Sequence, residues 1–280
     1  MKIVVFDLDE TLGYFSQFSI FWECLFHLLQ KGNHKLALKT KKNKLRQRLF
    51  CELLELYPEF LRPNILSVLS YLNHHRVTSK TCRTKSHCGK IIMYTNNNGS
   101  HEWVDNIVKF LETRLRTKLF DKLIKAYKIN GVQIEKNRTT HGKTYEDLLK
   151  CTNVKETDEI CFIDDVMHEG MKHQNVYYIN VKPYTHDLPF ETMIERFFNS
   201  NVREKWLRKK TLDLGGYNTT DNFREALMRE IKGVNYVPKL KKLVDYKMDE
   251  IVSKYVLGHL HLFFYGKNAR VKNKTRKLLS

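Results

Sequence analysis

Three short apolar runs, far apart in the chain, constrain the fold most strongly. They occupy residues 3–6, 91–94 and 160–163. None of them alternates apolar with polar residues, which is typical of strands buried on both faces of a parallel sheet. The segments between the runs are long enough for helical crossover connections. The sequence therefore predicts an α/β fold with a parallel sheet flanked by helices.

Polar side chains follow each of these runs at the point where the predicted strand ends. They are Asp7 and Asp9 after the first run, Thr95 and Asn96 after the second, and Asp164 and Asp165 after the third. Because the carboxyl ends of parallel strands meet at one edge of a sheet, we expect these residues to lie together. An Asp-x-Asp pair alone is common in solvated turns, so the prediction depends on all three segments.

The predicted site holds four carboxylates, which repel one another unless a cation lies between them. Carboxylate oxygens are ligands that Mg²⁺ prefers, together with water and phosphate oxygens. The sequence thus predicts a magnesium site, with Asp7, Asp9, Asp164 and Asp165 as candidate ligands.

The order of these residues resembles the motifs of the haloacid dehalogenase superfamily of phosphohydrolases. Asp7, Asp9 and Thr11 match its first motif, Thr95 its second, Lys143 its third, and the Asp164-Asp165 pair its fourth. The resemblance covers about residues 1 to 195. It implies a Rossmann-like sheet, magnesium as cofactor and hydrolysis of phosphoric monoesters. Lys128, Lys136 and Lys150 lie near Lys143 in sequence and are alternatives for the third motif.

The resemblance also implies a role for each matched residue. Asp7 would be the nucleophile that forms an aspartyl-phosphate, and Asp9 would be the general acid and then the general base. Thr95, Asn96 and Lys143 would bind the phosphoryl oxygens. Asp7, Asp164 and the main-chain carbonyl of Asp9 would hold Mg²⁺, with Asp165 bound to the ion directly or through one of its ligands.

Within the superfamily the motifs look most similar to the phosphatases of the RNA polymerase II C-terminal domain. Residues 7–12 have the Asp-Leu-Asp-Glu-Thr-Leu sequence that is usual for the first motif of that branch. Leu61-Arg62-Pro63 resembles the segment that precedes the second strand in the same branch. This implies a protein phosphoserine or phosphothreonine phosphatase. The Thr-Asn-Asn-Asn-Gly run at 95–99 is closer to polynucleotide 3′-phosphatases, the second hypothesis. The third is a catalytically weak protein that binds nucleic acid or takes part in an assembly.

Positive charge is concentrated toward the end of the chain. The net charge is +18, and residues 201–280 hold 19 Lys and Arg against 8 Asp and Glu. Residues 266–277 carry six positive charges and no acid. Such a tail is typical of contact with polyanions, including nucleic acid, or is simply a solvated terminus. We expect a catalytic domain at 1–200 and a basic helical C-terminal extension at 201–280.

The segment after the first strand predicts a small helical cap insertion at about 13–57. An aromatic and aliphatic stripe at helical spacing (Phe15, Phe18, Trp22, Leu25, Phe26 and Leu29) indicates packed core more than a ligand platform. Residues 31–48 carry eight positive charges and no negative one. Since insertions at this position act as caps in the resembling family, a small one implies a partial lid and a site open to large substrates.

Three further features of the sequence bear on the cellular compartment and on a possible zinc site: the first residues, the apolar runs, and the cysteines and histidines. The first residues run directly into the first strand, and no apolar run approaches the about 18 residues that a membrane helix needs. We expect an intracellular protein, cytoplasmic or nuclear, with no membrane contact and with its six cysteines reduced. A polar loop is predicted at 74–90. It contains His74, His75, Cys82, His87 and Cys88, whose spacing favours a basic loop over a zinc site.

Overall fold

A computed structural model describes residues 1–31, 41–81, 88–100, 102–208, 219–266 and 276–277 of the 280-residue chain. Several predicted features fall partly or wholly outside these ranges. They are the middle of the basic stretch at 31–48, Cys82 and His87 of the predicted polar loop, and most of the basic tail at 266–277.

The described residues form a six-stranded parallel sheet with the strand order β3-β2-β1-β6-β7-β8. All neighbouring strands in it pair in parallel. β8 adds two residues beside β7, and β4 and β5 form a separate antiparallel hairpin. In chain order the strands are β1 Lys2–Phe6, β2 Cys88–Tyr94, β3 Lys122–Ile124, β4 Lys128–Ile129, β5 Val132–Gln133, β6 Glu159–Asp164, β7 Val176–Asn180 and β8 Arg276–Lys277.

Helices flank this sheet, so the predicted α/β class is confirmed and the arrangement is compatible with a Rossmann-like fold. Two short 3₁₀ turns lie at Pro58–Phe60 and Glu169–Met171. The helices are α1 Ser16–Lys31, α2 Lys41–Leu54, α3 Ile65–Thr81, α4 Trp103–Leu115, α5 Tyr145–Cys151, α6 Phe190–Phe198, α7 Asn201–Arg208, α8 Thr220–Gly233 and α9 Leu243–Tyr265.

The central position of β1 follows from its composition. Its residues Ile3 to Phe6 are fully buried, because β2 and β6 pair with its two edges and both faces are covered. The chain proceeds from β1 through β2 to β3 on one side and returns through β6 to β7 on the other. The strand order therefore reverses between β1 and β6, which is where open α/β sheets leave a crevice at their carboxyl edge.

The chain forms two compact units, and their boundaries differ from the predicted domains. The first unit contains residues 1–14, 61–185 and 243–280, and the second contains 15–60 and 186–242. The predicted insertion is therefore joined in one unit by α6, α7 and α8, and is not a separate small cap. α6 belongs to that unit instead of closing the sheet domain. α9 returns to the sheet unit, where it packs against α3 and β7.

Aromatic packing holds the second unit together. It confirms the prediction that the apolar stripe of α1 is packed core. Phe18 packs edge-on against Phe50 of α2 with ring centroids 5.3 Å apart, and Trp22 contacts the same ring at 5.3 Å. α1 also packs against α8, where Lys31 and His27 pair with Glu230. These contacts explain why residues 15–60 and 186–242 form one unit.

The predicted polar loop at 74–90 is largely wrong. Residues 74–81 continue α3, and residues 88–90 begin β2. The ring of His75 stacks on Phe264 of α9 with centroids 4.8 Å apart, so its environment is an aromatic cluster. The tertiary contact with α9 stabilises helix in a segment whose polar composition indicated a loop.

Two further observations concern the whole described chain. None of the described helices is both long and apolar enough to cross a lipid bilayer. Cys24, Cys51, Cys151 and Cys161 are free thiols. Burial raises the pKa of both Cys24 and Cys151 to about 11.

Candidate functional site

Three of the predicted carboxylates come together at the carboxyl edge of β1 and β6. Asp7 directly follows β1, and its backbone N–H donates to Ile163 O at 2.9 Å. Asp164 is the last residue of β6, and Asp165 follows it. One carboxylate oxygen from each of the three lies within 4.8 Å of the others. The parallel pairing of β1 with β6 thus creates the cluster at the point where the strand order reverses.

The donor set of this cluster fits a hard divalent cation. Mg²⁺ binds oxygen at about 2.0–2.1 Å, so ligands on opposite sides of one ion lie about 4 Å apart. Adjacent ligands of an octahedral ion lie nearer, at about 3 Å. The oxygens of Asp7, Asp164 and Asp165 lie within 4.8 Å of one another, so they need to close by up to about 2 Å around an ion. All three are carboxylates, and none of the three side chains is exposed. The cluster could therefore bind a metal ion.

Lys143 lies against the same carboxylates. Its Nζ is 2.5 Å from Asp7 Oδ1 and 2.6 Å from Asp164 Oδ2, and the side chain is 2% exposed. Thr144 caps α5 by accepting from the N–H of Asp147, which fixes the backbone next to the lysine. Among the lysines considered from sequence, Lys136 and Lys150 are exposed. Lys143 is the one that reaches the cluster.

Burial dominates the electrostatics of the cluster. It raises the pKa of Asp7 to about 7, against the lowering effect of the Lys143 charge. Burial also raises the pKa of Asp165, and the neighbouring Asp164 adds to the effect. The pKa of Asp164 is nevertheless lowered, because its hydrogen bond with His168 and the charge of Lys143 outweigh burial.

The pKa of Lys143 is raised, since the attraction of Asp7 and Asp164 exceeds the effect of burial on the ammonium. Lys143 is thus a fixed positive charge beside three acids. A single ammonium does not neutralise three carboxylates, so a divalent cation complements the charge that is left.

Hydrogen bonds hold the acids of β6 in place. Thr11 Oγ1 donates to Asp165 Oδ1 at 3.0 Å and accepts from the Asp165 N–H at 3.1 Å. The amide of Asn180, at the end of β7, donates to the main-chain oxygens of Asp164 and Asp165. His168 Nε2 lies 3.5 Å from Asp164 Oδ2. Sequence reasoning assigned no function to Asn180 or His168.

Asp9 lies outside the three-carboxylate group and contacts a different loop. The chain turns after Asp7, where Glu10 has a φ of 58° and its N–H donates to Gly13 O. Asp9 Oδ2 accepts from Asn97 Nδ2 at 2.8 Å, and burial raises the pKa of Asp9. This geometry separates the carboxylates of Asp7 and Asp9. Whether the main-chain oxygen of Asp9 binds a metal stays a prediction.

The loop after β2 carries Thr95 and Asn96 of the predicted phosphate-binding set. Thr95 is completely buried, and its Oγ1 accepts from the Asn97 N–H at 3.0 Å. Asn97 therefore connects Thr95 with Asp9. Asn96 is exposed, and its Oδ1 accepts from Arg138 at 2.7 Å. The phosphate-binding roles of Thr95 and Asn96 stay predictions.

Two buried arginines were missed as parts of the site. Arg62 donates to the main-chain oxygens of Glu10, Thr11 and Lys182, so it ties the loop after β1 to the chain after β7. Arg138 donates to the loop after β2 and to the turn before Lys143. Arg62 belongs to the Leu-Arg-Pro segment that resembles the family, which is a weak indication of a role near the site. Arg138 lies in a polar segment, and nothing in its sequence neighbourhood indicates that it is buried.

These features define an α/β protein with a carboxylate cluster and a buried lysine at the switch point of its sheet. No protein family, curated protein or solved structure matches the chain. The geometry of the site is therefore what indicates a function.

Proposed function

We propose that this protein is a Mg²⁺-dependent phosphomonoester hydrolase that works through an aspartyl-phosphate, in the manner of the haloacid dehalogenase superfamily. The observation that carries the proposal is the convergence of Asp7, Asp164, Asp165 and Lys143 on one point. A second carboxylate, Asp9, lies two residues from the first and has its own hydrogen-bond partner. Together they supply a nucleophile, a metal site, a fixed cation and a separate acid.

The metal would be held by the carboxylates of Asp7, Asp164 and Asp165. When bound, Mg²⁺ neutralises charge on the phosphoryl group and orients it for in-line attack. Lys143 adds a positive charge on the same side, and it is already fixed by two carboxylates before substrate binds. Because Lys143 is already in place, it can stabilise the charge of the transferring phosphoryl group without a rearrangement of the site. This supports a role in phosphoryl transfer.

Asp7 would attack phosphorus, so that an oxygen–phosphorus bond forms at Asp7 while the bond to the leaving oxygen breaks. Asp9 would give its proton to that oxygen, which leaves as an alcohol. In the second half, water would attack the aspartyl-phosphate and give a proton to Asp9. Inorganic phosphate would then leave and Asp7 would be regenerated. The turn at Glu10 supports separate roles for Asp7 and Asp9, since it separates their carboxylates.

Thr95, Asn96 and Lys143 would bind the oxygens of the transferring phosphoryl group. Lys143 is in contact with the nucleophile, and Thr95 is linked through Asn97 to the proposed acid. Lys143 and Thr95 are therefore each within one or two hydrogen bonds of an acid that takes part in the reaction.

The leading substrate is a phosphoserine or phosphothreonine in a protein segment, as the resemblance to the polymerase-tail phosphatases implies. The alternative is a polynucleotide 3′-phosphate, favoured by the Thr-Asn-Asn run at 95–97 and by the net charge of +18. A cationic protein attracts both substrates, since both are anions.

The test compares wild-type protein, Asp7→Asn and the control Asp158→Asn on an aryl phosphate, with and without Mg²⁺. Asp158 is also a buried aspartate, but it lies outside the cluster. We expect Mg²⁺-dependent phosphate release by wild type and Asp158→Asn, and none by Asp7→Asn. Turnover that persists in Asp7→Asn, or that ignores Mg²⁺, would contradict the proposal.

A second panel identifies the substrate. Phosphoserine and phosphothreonine peptides are compared with 3′-phosphorylated oligonucleotides by kcat/KM at one salt concentration. A higher value for the peptides supports the leading substrate, and a higher value for the oligonucleotides selects the alternative. Binding of oligonucleotide without any phosphate release would instead favour the binding-protein hypothesis.

A further inference from the structure

Arg138 is a buried arginine whose guanidinium contacts several loops at once. It is 1% exposed, and its Cζ lies 4.9 Å from the ring centroid of Tyr94. Nη1 donates to the main-chain oxygens of Thr95 and Lys125, at 3.2 and 2.9 Å. Nη2 donates to three acceptors: Asn96 Oδ1 at 2.7 Å, His141 O at 3.0 Å and Gly142 O at 3.1 Å.

These acceptors are neutral oxygens. Within the described part of the chain, no carboxylate forms an ion pair with Arg138. Burying an arginine without a carboxylate is unfavourable unless hydrogen bonds replace those lost to water. Here five acceptors converge on two nitrogens, and the planar guanidinium fixes their relative positions. Arg138 thus fixes the backbone around it more tightly than a flexible lysine would.

Two of the contacted loops carry residues of the proposed phosphate site. Thr95 and Asn96 lie in the loop after β2, and His141 and Gly142 immediately precede Lys143. We propose that Arg138 is a positioning residue that holds Thr95, Asn96 and Lys143 in register for a phosphoryl group. This inference rests on the proposed phosphohydrolase function.

Arg138 also sets the orientation of the Asn96 amide. A guanidinium only donates hydrogen bonds, so the amide oxygen of Asn96 faces Arg138. The amide nitrogen is then the end of the side chain that remains for a ligand. Because it is a donor, it suits an anionic phosphoryl oxygen.

The metal cluster is anchored by other groups. Asp7 and Asp164 follow β1 and β6, and Asp165 is held by Thr11 and Asn180. Arg138 makes none of these contacts. Loss of Arg138 is therefore expected to weaken phosphate binding and turnover while Mg²⁺ binding changes little, a separation that general unfolding would not produce.

The test uses full-length Arg138→Met and Arg138→Lys, with Arg76→Met as the matched control. Arg76 also binds main-chain oxygens, those of Lys118 and Leu119, but it lies outside the site. The measurements are kcat and KM on an aryl phosphate, inhibition by inorganic phosphate, and the Mg²⁺ concentration for half-maximal rate. Arg138→Lys keeps the charge, so it carries the test if Arg138→Met fails to fold.

We expect kcat/KM to fall roughly tenfold to hundredfold in both Arg138 variants, as for a displacement of about 1 Å in an active site. Inhibition by phosphate weakens in parallel, whereas half-saturation by Mg²⁺ stays within about twofold of wild type. Asn96→Asp should weaken phosphate inhibition more than Asn96→Ala, because one carboxylate oxygen would face the phosphate.

Three results would overturn the inference. Arg138 variants that match Arg76→Met show that the contact has no effect on the site. A Mg²⁺ requirement that rises as much as the phosphate inhibition constant shows general disruption instead of positioning. A wild-type protein that hydrolyses no phosphomonoester overturns the proposed function as well, which separates that failure from the other two.

Discussion

Thr11 and Asp165 form a reciprocal pair: the hydroxyl of Thr11 donates to the carboxylate of Asp165 at 3.0 Å and accepts from its N–H at 3.1 Å. Thr11 lies after β1 and Asp165 after β6, so the pair connects the two chain segments that form the carboxylate cluster. The side chain of Thr11 is buried. One oxygen atom therefore fixes both the backbone and the side chain of a candidate metal ligand.

Thr11→Val is expected to loosen this ligand without changing the volume of the side chain. A buried N–H without its acceptor destabilises a protein by roughly 1–3 kcal/mol. We expect a comparable fall in the free energy of unfolding and a several-fold rise in the Mg²⁺ concentration for half-maximal phosphatase rate. Denaturant unfolding and a Mg²⁺ titration of activity measure the two quantities.

Thr11→Ser and Thr152→Val are the controls. The serine keeps the hydroxyl and should retain wild-type Mg²⁺ dependence. Thr152 also donates and accepts with one hydroxyl, but it caps α5 away from the cluster. If Thr152→Val raised the Mg²⁺ requirement as much as Thr11→Val, the effect would reflect lost stability and not the position of Asp165.

Lys143→Met is expected to destabilise the metal-free protein and to abolish turnover. Without the ammonium, Asp7 and Asp164 are buried acids with no cation between them, and breaking such a pair costs about 3–5 kcal/mol. Mg²⁺ should recover part of that loss. We therefore expect MgCl₂ to raise the Tm of Lys143→Met by more than that of wild type, as thermal unfolding would measure.

Lys125→Met tests whether any lost ion pair has this effect. Lys125 pairs with Asp105 at 2.6 Å, outside the carboxylate cluster. Its Tm should respond to MgCl₂ as wild type does. An unchanged Mg²⁺ response in Lys143→Met would place the ion away from Asp7 and Asp164.

The strands and the carboxylate cluster were predictable for a physical reason. A fully apolar run of four residues is too short for a buried helix and is typical of a strand covered on both faces, so β1, β2 and β6 were evident. Parallel pairing then brings their carboxyl ends together whatever the loops contain. Asp7, Asp164 and Asp165 converge for this reason, and the selection of Lys143 came from the resemblance.

Other features of the fold and the site were not predictable, because they depend on tertiary contacts that leave no pattern in the local sequence. Arg138 is a charged residue in a polar segment, and only the carbonyl groups that surround it distinguish it from a solvated arginine. One unit combines helices that are distant in sequence, from residues 15–60 and 186–242. Helical periodicity predicts a buried face but does not indicate which helix packs against it. The last turns of α3 are polar, so their helical state depends on tertiary packing such as that of His75 on Phe264.

Mg²⁺ is expected to stabilise the folded protein by an amount that grows with the logarithm of its concentration once that exceeds the Kd. An ion that binds only the native state adds about 2.7 kcal/mol when its concentration is one hundred times its Kd. Thermal unfolding in EDTA and in increasing MgCl₂ should show a rising Tm for wild type and a much smaller rise for Asp165→Asn. The control Asp158→Asn should rise as wild type does, because Asp158 lies outside the cluster.

Equal stabilisation of wild type and Asp165→Asn would remove Asp165 from the metal site. Equal stabilisation by NaCl at matched ionic strength would indicate screening of charge instead of binding at the cluster. Because this readout is independent of catalysis, it tests the metal site even for a protein that hydrolyses none of the substrates offered.

Asn97→Ala is expected to separate proton transfer from the other steps of the proposed reaction. The amide of Asn97 is fixed at both ends, since its oxygen accepts from the Gly99 N–H and its nitrogen donates to Asp9. Its removal leaves Asp9 without this partner, while Asp7, Lys143 and the metal ligands keep theirs. Since Asp9 protonates the leaving oxygen, the loss should depend on how much the leaving group needs a proton.

Alkyl phosphates need that proton more than aryl phosphates with an acidic phenol. We expect kcat/KM to fall about tenfold or more for an alkyl phosphate and by no more than about threefold for the aryl phosphate. Asn175→Ala, which removes an amide bonded to Glu156 O, should leave both values unchanged. Equal losses on the two substrates would indicate that the Asn97 side chain supports the loop after β2 in general, and would leave Asp9 without evidence for an acid role.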